Sequence, residues 1–315
     1  MCLYPKLILN RKYLPNKSNG GIPPPLLDKR TIYVPVGCGK CMECMKQKAR
    51  NWNIRLQEEI RTDDTGVFVT LTFSNESLSE LAAECDSTGY KLDNDIVTLA
   101  FKRFRERWRK KYKKSIKHWI VSELGHGTTE HVHLHGILFT KEKEDISKLW
   151  QYGYSFLGTY VNSKTINYIS KYIHKIDHQH KYYKPIVLVS PGIGSKYIDR
   201  LDSKGNEFRN EQTNELYKNR EGYSMNLPTY YRNKLYTDEE REKLWLYKLD
   251  KQVRYINGIK IDISQGYDSY YKILANARRS NRELGYGDDS RDWEQEVYEN
   301  TIRNMKIQDR IKHND

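Results

Sequence analysis

The chain has 315 residues, of which 37% are hydrophobic and 30% charged, with 54 Lys+Arg against 41 Asp+Glu and a formal net charge of +13. That length suits one large domain or two small ones, and no apolar run approaches the ~20 residues of a membrane-spanning helix. A basic excess of this size fits a polyanionic partner, most often nucleic acid, against the plainer alternative of a protein that is merely soluble and basic.

The start of the chain, MCLYPKLILNRKY, lacks a secretory h-region, so the reading is cytosolic. Five cysteines in such a chain point to metal ligation or free thiols rather than a disulfide framework. Tyrosines number 25 against 7 phenylalanines. A tyrosine ring can stack on bases while its hydroxyl stays wet, although a biased genome gives the same excess.

Residues 11–37, with PNKSNGGIPPP, read as an irregular connector. A helix is expected from about Lys40 to Arg61, since Trp52, Leu56 and Ile60 recur every four residues. Val67–Phe73 is β-branched and aromatic and predicts a buried strand. The polar stretch 74–94 reads as a loop with about one helical turn. Asp95–Lys114 predicts a second helix, with Val97, Phe101, Phe104, Trp108 and Tyr112 as its apolar stripe and a basic face within Lys102–Lys114. That face suits phosphate contacts as well as it suits simple solvation. His118–Glu123 and His131–Phe139 predict an antiparallel hairpin, and Lys164–Ile176 a third helix. Further on, Val253–Ile261 carries Asn257-Gly258 between two β-type runs, a two-residue hairpin signal. Residues 266–312 read as helical, charged and peripheral. There is no internal repeat, and the mixture of elements predicts an α+β sheet domain.

Three groups of residues carry chemistry. In a strand, residues two apart share a face, so His133 and His135 can meet one ion while Val132, Leu134 and Leu138 pack on the other side. Simple surface alternation gives the same pattern, and His131 on the same face is an alternative ligand. Glu123, ending the preceding strand, is the natural third ligand for a divalent ion acting on phosphate. On the third helix, Tyr168 and Tyr172 fall about 40° apart, flanked by Lys171 and Lys175, with Ile166, Ile169, Ile173 and Ile176 as a separate core stripe. A phenol is a poor nucleophile unless its oxygen or the phosphate is activated, which a metal ion and a lysine can do. The alternative is two packing tyrosines on an amphipathic helix. Finally, Cys38-Gly-Lys-Cys41-Met-Glu-Cys44 has zinc-type spacing, and Cys2 is the candidate fourth ligand. Reduced, unliganded thiols are the alternative, and Cys85 has no assigned role.

Taken in chain order, the Phe68-Val-Thr-Leu-Thr-Phe73 strand, the His133-Leu-His135 strand and the double-tyrosine helix resemble the HUH endonucleases. Within them they resemble the replication initiators of small single-stranded DNA bacteriophages, the gokushovirus-type microviruses (Microviridae). Ser190-Pro-Gly-Ile-Gly-Ser-Lys-Tyr197 and Leu227-Pro-Thr-Tyr-Tyr-Arg232 are similar to the same phage proteins, as are an N-terminal cysteine and a C-G-K-C-x-x-C run. The resemblance covers most of residues 1–235. It implies a central antiparallel β-sheet flanked by helices, with an N-terminal Cys-rich segment and a helical C-terminal extension. The corresponding division is a Cys-bearing segment and helix over 1–62, an endonuclease core over 63–235 and an accessory region over 236–315.

The same resemblance implies a rolling-circle replication initiator that nicks and rejoins DNA through a 5′-phosphotyrosine. Tyr168 and Tyr172 match its nucleophiles, Lys171 its adjacent lysine, and Glu123, His133 and His135 its ligands for Mg²⁺ or Mn²⁺. The implied setting is the cytoplasm of a bacterial host, with single-stranded origin DNA, a host DNA polymerase and a host helicase as partners and no membrane. No G-x-x-x-x-G-K-[ST] loop exists in the chain, so strand separation must come from elsewhere. Relaxases place the tyrosine before the histidines, the reverse of the order here. A single-tyrosine transposase is disfavoured by the second tyrosine and the N-terminal cysteines. The reading from a different class is a zinc-containing single-stranded DNA-binding protein without catalysis.

Overall fold

The computed structural model describes residues 2–127, 130–288, 303–305 and 307. In chain order the elements are β1 (Lys6–Leu9), β2 (Tyr33–Val36), α1 (Met42–Glu59), β3 (Gly66–Leu71), α2 (Asn75–Ala83), α3 (Gly89–Tyr112), β4 (Lys117–Leu124), β5 (Val132–Phe139), α4 (Glu144–Leu149), β6 (Ser155–Leu157), α5 (Ser163–Ser170) and β7 (Val187–Val189). There follow α6 (Leu201–Lys204), β8 (Leu216–Lys218), β9 (Ser224–Asn226), α7 (Thr229–Leu235), α8 (Asp238–Asp250), β10 (Val253–Ile256), β11 (Ile259–Asp262) and α9 (Asp268–Glu283). Among the described residues, no helix is long and apolar enough to cross a membrane. Contacts group Trp52–Tyr197 and the described part of Arg291–Asp315 into one unit, and Met1–Asn51 with Ile198–Ser290 into another.

The first of these units is built on a five-stranded antiparallel sheet of order β6-β3-β5-β4-β7. Alternation along its strands makes two faces. Val67, Val69 and Leu71 of β3, Ile120 and Leu124 of β4, and Val132, Leu134 and Leu138 of β5 form one core with Val97, Phe101, Phe104 and Trp108 of α3. The apolar stripe expected on that helix is thus its buried face. Burying each such side chain contributes roughly 1.5–3 kcal/mol, and Phe104→Ala should cost about 3–5 kcal/mol. β5 closes tightly on β4 at Gly136, where an added Cβ would lie 2.1 Å from the Trp119 carbonyl oxygen. The α+β architecture with helices flanking an antiparallel sheet is therefore present.

Four local expectations need correction. The stretch 74–94 is not a loop: Ser74 caps α2 through the Ser77 N–H, Leu78 and Leu81 bury their side chains, and α3 begins at Gly89. A polar composition hid the i, i+3 spacing, and Asp93, counted as a loop residue, is buried. The third helix ends early, because α5 stops at Ser170 and tightens into a 3₁₀ turn over Lys171–Ile173. The Ser170 hydroxyl donates to the Ile166 carbonyl there, a back-bond that competes with the helical ladder. The connector is irregular only in part, since β2 pairs antiparallel with β1. Lastly, the tail is not wholly peripheral. Although 289–302 lie outside the described residues, Arg303 is 2% exposed and donates from Nε to Asp93 Oδ2 at 2.7 Å.

In the other unit, β10 and β11 form the expected hairpin, with Ile256 paired to Ile259. Asn257 and Gly258 both take positive φ, 50° and 82°, as a type I′ turn requires. Ile256, Ile261, Leu274 and Ala277 of this hairpin and α9 share a core with Leu3, Tyr4 and Cys41.

Candidate active site

The sheet face turned away from α3 carries the polar side chains. The register sets His135 between Thr70 of β3 and Val121 of β4, and pairs His133 with Glu123. The two imidazoles stack at 6.4 Å between centroids. Glu123 Oε2 lies 3.1 Å from His135 Nε2, a diagonal contact across the strands. On the other side of the ring, Thr70 Oγ1 lies 3.1 Å from His135 Nδ1, fixing the imidazole from its far nitrogen. His131 lies just outside the strand, where its carbonyl accepts from the Gly125 N–H.

The tyrosines reach this face from α5 and the turn behind it. The Tyr172 ring stacks on His135 with centroids 4.6 Å apart and planes 2° from parallel. The hydroxyls of Tyr168 and Tyr172 are 2.6 Å apart and share a hydrogen bond. Tyr168 is 51% exposed, and its ring meets Phe68 edge-on. Lys175 Nζ lies 2.6 Å from Glu123 Oε1, so the second lysine of the tyrosine segment lands on the carboxylate. Lys171 is exposed, and among the described residues it makes no hydrogen bond or ion pair to the cluster. α5 is fastened from α1: Asn53 Nδ2 donates to Asn167 and Ser170, and Gln57 bonds to Ser163.

Charge states follow from these contacts. Burial alone would raise the Glu123 carboxyl, but His135 and Lys175 outweigh it and hold it below the usual carboxylate range. Burial, then the neighbouring His135, keeps His133 low and neutral, the form that ligates a metal. Burial, the Tyr168 hydrogen bond and the Glu123 charge push the Tyr172 phenol well above its ordinary value. One carboxylate and two imidazoles on one face are chemically suited to a divalent cation, with Glu123 already at His135.

The basic run of α3 does not line this face, because α3 packs on the opposite side of the sheet. Part of it is also neutralised internally. Arg103 pairs with Glu84, Lys111 with Asp145, and Arg107 donates to the Leu149 carbonyl at 2.8 Å. The cations beside the tyrosines are instead Lys164, Lys171 and Lys175. Thr70, Asn53 and Gln57 were not singled out in the sequence. For Thr70 the signal existed, since it alternates with buried residues inside Phe68–Phe73.

The thiol group is of a different kind. The donor atoms of Cys2, Cys38, Cys41 and Cys44 all lie within 4.8 Å of one another, and among the described residues this is the group of three or more metal-type side chains drawn that close. Cys2 and Cys41 sulfurs are 3.8 Å apart, and Cys38 and Cys44 sulfurs 4.0 Å. A tetrahedral zinc with ~2.3 Å bonds has sulfur–sulfur edges of about 3.8 Å. Backbone N–H groups of Tyr4 and Cys38 point at Cys2 Sγ, and that of Cys41 at Cys38 Sγ, as donors to thiolates do. Contact with Cys44 pulls the Cys41 thiol down to about 4. This cluster can hold a metal such as zinc.

Residues 66–177 match the family model of the ORF2-type replication-associated proteins. That segment contains Thr70, Glu123, His133, His135, Tyr168, Lys171, Tyr172 and Lys175, and it excludes all four clustered cysteines. The match is consistent with a rolling-circle replication initiator. No curated protein and no solved structure matches the chain.

Proposed function

We propose that this protein initiates rolling-circle replication by nicking and rejoining single-stranded DNA through a covalent 5′-phosphotyrosine. The observation that carries the reading is the continuous contact from Tyr168 through Tyr172 to His135 and Glu123, in a segment similar to replication-associated proteins. Glu123, His133 and His135 would hold a magnesium or manganese ion, which when bound withdraws charge from a phosphate oxygen. Thr70 keeps the His135 ring in one orientation, and Lys175 holds the outer oxygen of Glu123.

Tyr168, the more exposed phenol, attacks first. Its oxygen bonds to phosphorus, the 3′-oxygen leaves, and the phenol proton is exchanged for one on the departing hydroxyl. The Tyr172 hydroxyl, in hydrogen-bond contact, donates to the attacking oxygen as charge develops. One ester replaces another, so no ATP is needed and the free 3′-OH can be extended by a host polymerase. With the roles reversed, Tyr172 serves the second cleavage and the released 3′-OH reseals the circle. Strand separation falls to a host helicase, and the site of action is the bacterial cytoplasm. Lys171, beside the phenols, supplies positive charge to the incoming backbone. In the other unit, zinc on Cys2, Cys38, Cys41 and Cys44 would hold the N-terminus to α1.

The compactness of the thiol group favours a second reading, a zinc-containing single-stranded DNA-binding protein without catalysis. Incubation with a labelled random-sequence library of single-stranded oligonucleotides and Mn²⁺ separates the two. An adduct that survives denaturation and maps by mass spectrometry to Tyr168 or Tyr172 establishes the nickase; reversible shifting alone leaves the binder.

A further inference from the structure

β6 is an edge strand of the five-stranded sheet, and it displays aromatic rings on the candidate active-site face. Phe156 pairs with Thr70, and Thr70 with His135, so the three stand in one row across the sheet. Two residues earlier, the Tyr154 carbonyl accepts from the Thr72 N–H, and strand alternation puts Tyr154 on the side of Phe156. Phe156 is 48% exposed and Tyr154 is 70% exposed. Neither ring is needed to fill a core, and apolar rings on a free edge invite association.

These rings continue the tyrosine pair. Centroids are 5.4 Å apart between Tyr172 and Tyr168, 6.3 Å between Tyr168 and Phe68, and 6.3 Å between Phe68 and Phe156. Glycines bracket the strand where it must lie close to β3. A Cβ at Gly153 would meet the Thr72 carbonyl oxygen at 2.7 Å, and one at Gly158 would meet Phe68 Cβ at 3.1 Å. Exposed Lys164 and Lys171 fall one turn either side of Tyr168. An aromatic series flanked by ammonium groups is the composition that binds single strands, with bases stacking on rings and phosphates meeting cations.

We infer that Tyr154 and Phe156 are a base-stacking platform for the single-stranded substrate on one side of the scissile phosphate. The inference rests on the proposed DNA-nicking function, and it adds the place where flanking bases dock. Continuity with the tyrosine pair selects DNA over a protein partner.

The test uses the full-length protein in EDTA with oligothymidylate carrying one 5-iodouracil. Photocrosslinks should map to Tyr154 or Phe156. Tyr154→Leu and Phe156→Leu should each weaken oligothymidylate binding about tenfold by fluorescence anisotropy, whereas Phe156→Trp, which keeps a stacking ring, should retain it. Crosslinks confined to other residues, with both leucine variants within about twofold of the parent, overturn the platform. So does unchanged DNA affinity together with altered sedimentation, which assigns the rings to self-association. Ring-dependent binding without any Mn²⁺-dependent adduct would keep the platform and sink the nickase. An adduct with unaltered binding in the leucine variants would do the reverse.

Discussion

The thiol cluster and the histidine–tyrosine face are both donor sets drawn from distant parts of the chain, but they are finished to different degrees. In the first, four sulfurs stand at tetrahedral spacing, and backbone N–H groups already point at two of them. In the second, one carboxylate and two imidazoles share a face that stays open toward exposed phenols and lysines. A closed four-ligand set suits structure, whereas three ligands beside a reactive group leave room for a substrate.

That contrast can be broken in order of expected effect. Cys41→Ser should do the most damage, because structural zinc in small sites carries roughly 10–16 kcal/mol of apparent binding energy. Metal content by elemental analysis should fall by one zinc per chain, with loss of the cooperative melting of that unit. A fully folded, equally stable variant would show that the thiols hold nothing.

The histidine–tyrosine face is sharpened by its phenols. Tyr168→Phe with Tyr172→Phe should lower adduct formation by about 10⁴-fold or more while oligonucleotide binding persists, measured by denaturing gels and anisotropy. Surviving cleavage in the double variant would remove both phenols from the chemistry.

Histidine on this sheet also has a purely structural form. His118 faces α3, lies in ring contact with Phe101, and bonds through Nδ1 to the Ile116 carbonyl at 2.9 Å. Burial drives it down to about 4. Between about pH 6.5 and 4 the unfolded chain takes up a proton that the fold refuses, so stability is full above that window and declines as pH falls through it. The loss should be roughly 3 kcal/mol, and His118→Asn should flatten it in urea titrations at pH 7 and 4.5. An unchanged pH slope would mean that other groups govern acid sensitivity.

The smallest expected effect is at Thr70. Removing its hydroxyl with Thr70→Val should raise the Mn²⁺ concentration needed for half-maximal nicking by about 10–100-fold, the usual consequence of freeing an imidazole from its outer hydrogen bond. Equal Mn²⁺ requirements would show that the Thr70–His135 contact does not orient the ring.

Much of this was legible in the sequence where period and chemistry agree. β-branched runs gave β3, β4 and β5, and the two-residue step from His133 to His135 put both imidazoles on one side. Asn257-Gly258 marked its hairpin for the same local reason. What misled was composition. The serines and aspartates of 74–94 read as loop although Leu78, Leu81 and Leu92 carry helical burial. Basic density on α3 suggested a DNA face, yet it lies across the sheet from the tyrosines.

By itself the sequence determined the strand and helix periods, the residue types able to ligate a metal or attack phosphorus, and the +13 charge that favours a polyanion. Those are local or additive properties, set by backbone geometry and side-chain chemistry. Only the tertiary structure decided that Thr70 and Lys175 hold His135 and Glu123, that Cys2 joins the other three thiols, and that Phe156 falls in the row of His135. Such contacts depend on strand register and chain crossing between residues far apart in sequence, where a shift of one position would turn each side chain to the opposite face.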